Sequence, residues 1–299
     1  MTRSDQPWLI LDLEHSEDAA PWVEQTLVHR GLEGWEVHQE YPVVKWRLYF
    51  PLEGKHEERL CELKMALEQS GSQVTENGFV RDEDWAENWK EFYHPFAVGS
   101  RLVISPSWEL PDQEMRAGRK VILLDPGSAF GTGYHESSRL CLQLLEELVT
   151  EDDWTSGVLL DYGTGSGILG IGALHLGCGA VVASDRDPLA VSVARSNFEV
   201  NGFAEERYSV RSDNVPQPSE QTQSGRYPFV VANLTADILA QLSVPLAGVA
   251  DRHLILGGIV EKRAQKVLDA FTCAGGKKIA QLQENDWVAY HFLFERTPE

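Results

Sequence analysis

Residues 157–170 restrict the possible folds of this chain more than any other segment, because they join an apolar run, an acid and closely spaced glycines. The apolar run ends at Asp161, and Gly163, Gly165 and Gly167 then alternate with other residues before an apolar helical pattern begins. Glycine lets a backbone turn tightly and approach a ligand, and a helix that starts at such a turn presents its N-terminus there. The segment therefore predicts a buried parallel strand and a cofactor-binding turn at the carboxyl edge of a sheet.

Two cofactors fit this turn equally well on local spacing. Gly165, Gly167 and Gly170 match the dinucleotide fingerprint, and Asp185 lies 20 residues after Gly165, where a ribose-binding acid is expected. The same glycines, with the acid before them, also match the S-adenosylmethionine (SAM) turn of class I methyltransferases. In both cases Asp185 should end the second strand and accept hydrogen bonds from ribose hydroxyls. A turn without any ligand is a third alternative, but strand, turn, helix, strand and acid follow in the order that a cofactor site requires.

The 299 residues suffice for one large domain or two ordinary ones. Residues 1–80 show the order β-α-β-β-α-β, which is typical of a small ferredoxin-like α+β domain. Residues 81–98 are predicted as an aromatic-rich helical connector. Residues 99–299 alternate strands and helices, which predicts an α/β, Rossmann-like, doubly wound and mostly parallel sheet with an antiparallel edge.

Individual elements follow from apolar periodicity and from turn residues. Residues 103–105 and 121–124 are expected to form an antiparallel pair at the start of the larger domain. The strands predicted after them are 158–161, 181–184, 208–211, 228–232 and 253–256, and the helices between and after them are 168–176, 188–201, 236–246 and 261–274.

Composition excludes several classes of protein. No apolar run reaches the roughly 20 residues needed to cross a bilayer, and the first seven residues contain no hydrophobic signal core, so we expect a cytoplasmic protein with no membrane partner. The cysteines lack metal-ligand spacing, which predicts no metal site and reduced, packed side chains. They are Cys61, Cys141, Cys178 and Cys273.

The net charge of −20 disfavours direct contact with nucleic acid, because acidic surfaces repel phosphate backbones. It favours a basic, lysine-rich protein partner, although acidic residues also serve simply for solubility. We expect a monomer, while the sequence leaves the oligomeric state open.

A second segment, residues 125–140, is rich in glycine and ends in hydroxyl residues that open a helix. Such a loop can fold over the cofactor, and the backbone amides with Ser137 and Ser138 suit the carboxylate of its methionine end. Simple helix capping is the alternative role for both serines, and the two roles can coexist. His135 is either a general base or a structural hydrogen-bonding residue.

A third segment begins with the apolar strand that ends at Asn233 and continues into a helix. Its amide side chain can accept a hydrogen bond from a substrate amine and direct the amine lone pair toward an electrophilic methyl group. The alternative is an asparagine that ends a strand and binds backbone. Asp213 follows the preceding strand, where an acid can meet the adenine amino group.

With these segments the chain resembles the ribosomal protein L11 methyltransferases (PrmA). Residues 125–140 follow the family loop D-P-G-x-A-F-G-T-G-x-H-x-T-T-x-L. Further segments follow the family in order, namely residues 161–167, 185–188, 197 with 201–202, and 231–234. The match covers about residues 82–295. The resemblance implies SAM rather than NAD, and a lysine ε-amine or the N-terminal α-amine of a ribosomal protein as methyl acceptor. It also implies that the α+β domain over residues 1–80 recognises the substrate.

The resemblance also assigns roles to residues, with Asn233 as the catalytic residue. The predicted cofactor-binding residues are Phe130, Gly131, Thr132, Ser138, Asp161, Gly163, Gly165, Asp185 and Asn233. The chain departs from the family at Ser137 and Ser138, where two threonines are usual, and at Tyr134, whose larger ring is expected to narrow the acceptor pocket.

Three alternative functions compete with this prediction. An NAD-dependent oxidoreductase would explain the spacing of Gly165, Gly167 and Gly170, but it would explain neither residues 125–138 nor Asn233. A methyltransferase of the same fold could act on another protein lysine or on a small amine. A non-catalytic scaffold would bind SAM without forming a methylated product.

Overall fold

The computed structural model describes most of the 299 residues. They are residues 8–16, 19, 23, 26–27, 35–40, 43–51, 56–69, 71–80, 94–124, 133–220, 222 and 224–295. The chain divides into two compact units, residues 1–93 and 94–299.

The first unit contains a four-stranded antiparallel sheet with the order β2-β3-β1-β4. Its strands are β1 (Trp8–Ser16), β2 (Trp35–Glu40), β3 (Val43–Pro51) and β4 (Gln73–Val80), and helix α1 (His56–Gln69) joins the last two. Leu9, Leu11 and Leu13 alternate along β1 and are buried, and Leu63 and Leu67 of α1 lie in the same core. This order is that of a ferredoxin-like fold. The helix predicted between β1 and β2 lies mostly outside the described residues.

The second unit begins with a small three-stranded sheet, formed by β5 (Phe96–Val98), β6 (Leu102–Ser105) and β7 (Lys120–Leu123). β6 and β7 run parallel, so the predicted antiparallel pairing is wrong. Parallel strands need a crossover connection, whereas an antiparallel pair can be joined by a tight hairpin. The crossover from β6 to β7 contains helix α2 (Gln113–Arg116), and it returns the chain to the end of the sheet at which β6 begins.

The helical connector predicted over residues 81–98 is wrong at its carboxyl end, where the first strand of this sheet lies. Phe96–Val98 is a strand that pairs with β6 rather than the end of a helix. Residues 81–93 lie outside the described residues, so the helical connector remains a prediction there, as does the three-part division of the chain.

The main sheet has seven strands in the order β10-β9-β8-β11-β12-β14-β13. The strands are β8 (Val158–Tyr162), β9 (Ala180–Asp185), β10 (Tyr208–Ser212), β11 (Tyr227–Asn233), β12 (Ala250–Val260), β13 (Lys277–Glu284) and β14 (Trp287–Leu293). The first five in this order are parallel, and β14 is antiparallel to both of its neighbours. This confirms the predicted doubly wound sheet with an antiparallel edge. β8 is buried at every position, as a central parallel strand requires.

In the part of the chain that the structure describes, six longer helices accompany this sheet: α3 (Glu136–Glu147), α4 (Ile168–His175), α5 (Pro188–Val200), α6 (Ala236–Gln241), α7 (Ser243–Val249) and α8 (Ala264–Cys273). The single helix predicted over 236–246 is wrong, because the helix ends at Gln241 and a second one starts at Ser243. Pro245 cannot donate a backbone hydrogen bond, so it is better tolerated in the first turn of α7 than inside one long helix. Among the described residues, no helix combines the length and apolarity needed to span a membrane.

The cysteines are only partly packed. Cys141 and Cys178 are buried, whereas Cys61 and Cys273 are exposed, so the prediction of packed side chains is wrong for the latter two. Both exposed cysteines lie on helices whose buried positions are occupied by other residues, such as Leu63 in α1 and Phe271 in α8.

A buried histidine pair joins β12 to β14. His253 Nδ1 lies 2.9 Å from His291 Nε2, and both residues are almost fully buried. The pKa of each imidazole is lowered to about 4, mainly by burial. The Arg252 charge also lowers the pKa of His253 against an opposing effect of Asp153. His253 lowers the pKa of His291 against an opposing effect of Glu151. Two neutral imidazoles can share one hydrogen bond, but a proton added to either one must be buried with its charge.

We expect this pair to make the folded state less stable as the pH falls. The folded pKa values lie below the ordinary value of 6.5, so the unfolded chain binds protons first, and stability is lost between about pH 6.5 and pH 4. Urea unfolding at pH 7.5, 6 and 5 measures this loss, which amounts to about 1.4 kcal/mol for every tenfold difference in proton affinity between the folded and unfolded chain. The His253→Gln/His291→Gln variant cannot ionise at these positions and should lose less stability over this range. Equal losses in the two proteins would contradict the expectation.

Candidate active site

The glycine turn after β8 has the backbone geometry that its sequence predicts. Gly163, Gly165 and Gly167 have φ values of 73°, 55° and 86°, which side-chain-bearing residues rarely adopt. The amides of Gly163 and Thr164 donate to the Ser184 carbonyl at 2.8 and 3.0 Å, which ties the turn to the end of β9. The turn therefore lies at the carboxyl edge of the parallel strands, as predicted.

Side chains from other segments close around this turn. A Cβ atom at Gly163 would come within 2.6 Å of Leu234 Cδ2, so a larger residue there would require the leucine side chain to shift. Asn197 of α5 donates from Nδ2 to the Ser166 carbonyl at 2.8 Å. Neither Asn197 nor Leu234 was assigned a role from the sequence, although both fall within motifs that match the family.

Asp161 supports the turn from inside the protein. Its Oδ2 accepts hydrogen bonds from Thr164 Oγ1 at 2.7 Å and from the Gly170 amide at 2.9 Å. The residue is fully buried, and its Oδ1 has no hydrogen-bond partner among the described residues. Burial raises the pKa of this carboxyl to about 6, opposed by the two hydrogen bonds, while the Asp185 charge adds a smaller rise. Its predicted contact with the cofactor remains a prediction.

Asp185 ends β9 beside the turn, with both carboxylate oxygens engaged by backbone. Oδ2 accepts from the Gly165 amide and Oδ1 from the Asp187 amide, each at 3.0 Å. The carboxylate is thereby held in one orientation next to the glycines. Asp187 has a separate task, because its side chain caps α5 by accepting from the Leu189 amide at 2.9 Å.

The second and third predicted segments meet at Asn233. Its Nδ2 donates to Ser138 Oγ at 3.3 Å, although the two residues are 95 positions apart in the chain. Cβ atoms at Gly257 and Gly258 would come within 3.2 and 3.0 Å of Asn233 Oδ1 and would also meet Cys141 Sγ and the Leu234 carbonyl oxygen, so this glycine backbone packs closely beside the amide oxygen. Ser138 therefore orients this side chain through its nitrogen, and glycine backbone lies beside its oxygen.

Two residues with open roles have structural partners. His135 is the N-cap of α3: its Nδ1 accepts from the Ser137 amide at 3.2 Å and lies 2.7 Å from Ser137 Oγ. These contacts favour the structural role over the general base. The Tyr134 hydroxyl accepts from the His94 amide at 2.9 Å and donates to the His94 carbonyl at 2.8 Å. The effect of Tyr134 on an acceptor pocket remains a prediction.

Asp213 lies next to Asp185 across neighbouring strands. Its amide donates to the Asp185 carbonyl at 3.1 Å, and its Oδ2 accepts from Ser184 Oγ at 3.0 Å. Ser184 was missed by the sequence analysis, since a serine before an acid carries no distinctive signal. The predicted residues Phe130, Gly131 and Thr132 lie outside the described residues.

The parallel sheet, the glycine turn with an acid on the next strand, and the asparagine that ends β11 together define a class I methyltransferase site. The model of the family "Ribosomal protein L11 methyltransferase (PrmA)" matches residues 13–295. A relative of that name from Pelotomaculum thermopropionicum is 40% identical, with 81% of this chain and 76% of the relative covered. Another from Chloroflexus aurantiacus is 34% identical, with 98% of each covered.

A solved structure agrees with the sequence relatives. The crystal structure of the ribosomal protein L11 methylase from Lactobacillus delbrueckii subsp. bulgaricus is 27% identical to this chain, with a TM-score of 0.56. The match covers 67% of this chain and 98% of that chain. The chain belongs to the ribosomal protein L11 methyltransferase family. It is a methyltransferase, and its cofactor is SAM rather than NAD.

We expect the Asp161→Asn variant to be more stable than the original protein when no cofactor is bound. Asparagine can still accept from Thr164 and Gly170, but it carries no buried charge. A carboxyl pKa raised from 3.8 to about 6 destabilises the folded state increasingly as pH rises through that interval. The part of the gain that comes from removing the charge should therefore be on the order of 2–3 kcal/mol at pH 7 and smaller at pH 5.

Urea unfolding at the two pH values measures this gain. Asp187→Asn is the matched control, because asparagine also caps helices and this residue is exposed, so little change is expected at either pH. The same gain for Asp161→Asn at pH 5 and pH 7 would show that the buried charge is not its cause.

Proposed function

We propose that this protein transfers methyl groups from SAM to lysine ε-amines, the N-terminal α-amine, or both, of ribosomal protein L11. The names of its relatives support the protein substrate. The orientation of Asn233 supports an amine acceptor, and this is the observation on which the proposal chiefly rests. Its amide nitrogen donates to Ser138 Oγ, which fixes the orientation of the side chain, and its amide oxygen is the acceptor that a substrate amine requires.

SAM supplies a methyl group that is already activated on its sulfonium, so the protein mainly has to align the two reactants. Alignment of this kind can contribute roughly 7–11 kcal/mol toward the barrier. Asn233 Oδ1 would accept one N–H of the neutral amine and direct the nitrogen lone pair along the line of attack. The glycine turn and Asp185 would hold the nucleoside end of the cofactor in register with this asparagine.

The acceptor amine must be neutral before it can react. A lysine has an ordinary pKa of about 10.4 and is mostly charged at neutral pH, so the site must select the neutral form or let the proton pass to water. His135 caps α3 through Ser137 and is therefore not assigned as the base. An acceptor proton lost to solvent predicts a rate that rises with pH toward the alkaline range.

The remaining parts of the proposal concern the substrate and its surroundings. We propose that the ferredoxin-like unit recognises the ribosomal protein and that the net charge of −20 attracts its basic surface. We also propose that the protein acts as a cytoplasmic monomer without direct contact to nucleic acid.

Intact-mass spectrometry tests the substrate and the reaction together. Ribosomal protein L11, expressed without its own methyltransferase, should gain mass in methyl steps after incubation with this protein and SAM, and peptide mapping should place them on lysines or the N-terminal amine. Asp185→Ala, which should bind SAM weakly, is the negative control. If SAM binds but no mass shift follows, then L11 is not the substrate or the protein is a non-catalytic scaffold.

We expect Asn233→Ala to reduce kcat far more than SAM affinity. Loss of one oriented polar group at a reacting centre typically costs on the order of 10²–10³ in kcat, whereas calorimetry should show SAM affinity within about threefold, since one neutral hydrogen bond contributes little net binding energy. Ser138→Ala keeps the Asn233 amide but removes the hydroxyl that orients it, so this variant should have a smaller effect on kcat. Equal losses of kcat and SAM affinity in Asn233→Ala would refute the orienting role.

A further inference from the structure

Tyr162 is a buried residue at the cofactor turn to which the function above assigns no role. It is the last residue of β8 and directly precedes Gly163. Its hydroxyl donates to the Asn214 carbonyl at 3.0 Å, although β9 separates β8 from β10, after which Asn214 lies. The tyrosine therefore connects the glycine turn to the segment that follows the edge strand of the sheet.

That segment is fixed to its surroundings at two further points. The Asp213 amide donates to the Asp185 carbonyl at 3.1 Å. Asp213 Oδ2 accepts from Ser184 Oγ at 3.0 Å and forms an ion pair with Arg211 Nε at 2.6 Å. All of these side-chain contacts use Oδ2, which leaves the other carboxylate oxygen of Asp213 for a ligand.

The position of this segment relates it to the base of the cofactor. Asp185 is the acid placed for the ribose, and Asp213 lies beside it, directly after the neighbouring strand β10. A base attached to that ribose would therefore extend toward residues 213 and 214. A carboxylate oxygen accepts from the exocyclic amine of adenine, and it repels the oxygen that hypoxanthine carries at the same position.

The hydroxyl of Tyr162 is suited to this structural link. Burial, together with the charges of Asp213 and Asp185, raises the pKa of Tyr162, opposed by Arg186, so the phenol remains a hydrogen-bond donor at neutral pH. Phenylalanine at this position would preserve the ring and remove only the donor to the Asn214 carbonyl.

We propose that Tyr162 is a positioning residue for adenine recognition, which holds Asp213 and Asn214 at the distance from the glycine turn that the adenine amine requires. This inference rests on the proposed function, because it concerns the same cofactor site. It predicts that Tyr162 affects the choice of base and has no part in the methyl-transfer step.

The experiment measures the affinity of the full-length Tyr162→Phe variant for two ligands by calorimetry, S-adenosylhomocysteine and S-inosylhomocysteine. We expect the adenine ligand to bind roughly five- to tenfold more weakly than it binds the original protein, as for one misplaced hydrogen bond, and the inosine ligand to change less than about twofold. A merely structural role would weaken both ligands equally, and that result would overturn the proposal. Unchanged binding of both ligands would overturn it as well.

Three further variants separate the possible explanations. Tyr208→Phe makes the same change on β10, where the ring stacks on Phe198, and should alter neither affinity. Asp185→Ala should weaken both ligands together, because they share the ribose. Ser184→Ala releases Asp213 from its other side and should reproduce the selective loss, so it replaces Tyr162→Phe if that variant does not fold. If the original protein bound neither ligand, the cofactor site itself would be refuted, and this inference with it.

Discussion

The turn between β8 and α4 depends on one local constraint, three backbone positions that must adopt positive φ. Gly163, Gly165 and Gly167 meet it without strain, and the Ser184 carbonyl then holds the first two turn amides against β9. β9 and β11 flank β8 on opposite sides. The strand order therefore reverses its direction at β8, and the turn lies at this point of reversal. Ligands bind at such crevices in open α/β sheets. The cofactor site thus follows from the order of the strands as much as from the glycines.

The site is held in shape at a cost to the stability of the fold. Asp161 is buried beneath the turn, and one of its oxygens lacks a partner among the described residues, which is why its pKa lies well above the ordinary range. The same carboxylate accepts from Thr164 and Gly170 and so joins the turn to the first turns of α4. Asparagine would keep these two hydrogen bonds without the buried charge, whereas an apolar residue would lose them. Asn233 and Asp185 are likewise held by neighbours before any ligand arrives.

The errors of the sequence analysis concern elements whose direction or extent depends on distant residues. We expected an antiparallel pairing of β6 and β7 from two apolar runs, but the strands are parallel. The periodicity of apolar residues identifies a strand and does not indicate its direction. The single helix predicted over 236–246 is in fact two helices separated at Leu242. The sequence did not reveal this break, because the apolar pattern continues across it. Cys61 and Cys273 are exposed although both lie on helices with a buried face. On such a helix a shift of one residue along the sequence can move a side chain from the buried face to the exposed face.

The sequence alone determined the strand–turn–helix unit, the acid at the end of β9, the parallel core of the sheet and the family, since these are encoded in local periodicity and in residues with special backbone freedom. Only the tertiary structure decided which side chains meet. Asn233 contacts Ser138 across 95 positions, and Asn201 binds both backbone groups of Leu123 across 78. The cap formed by His135 and the link from Tyr162 to Asn214 were equally invisible in the sequence. A hydrogen bond between distant segments requires that the sheet first bring their strand ends to one edge, and no local pattern records that proximity.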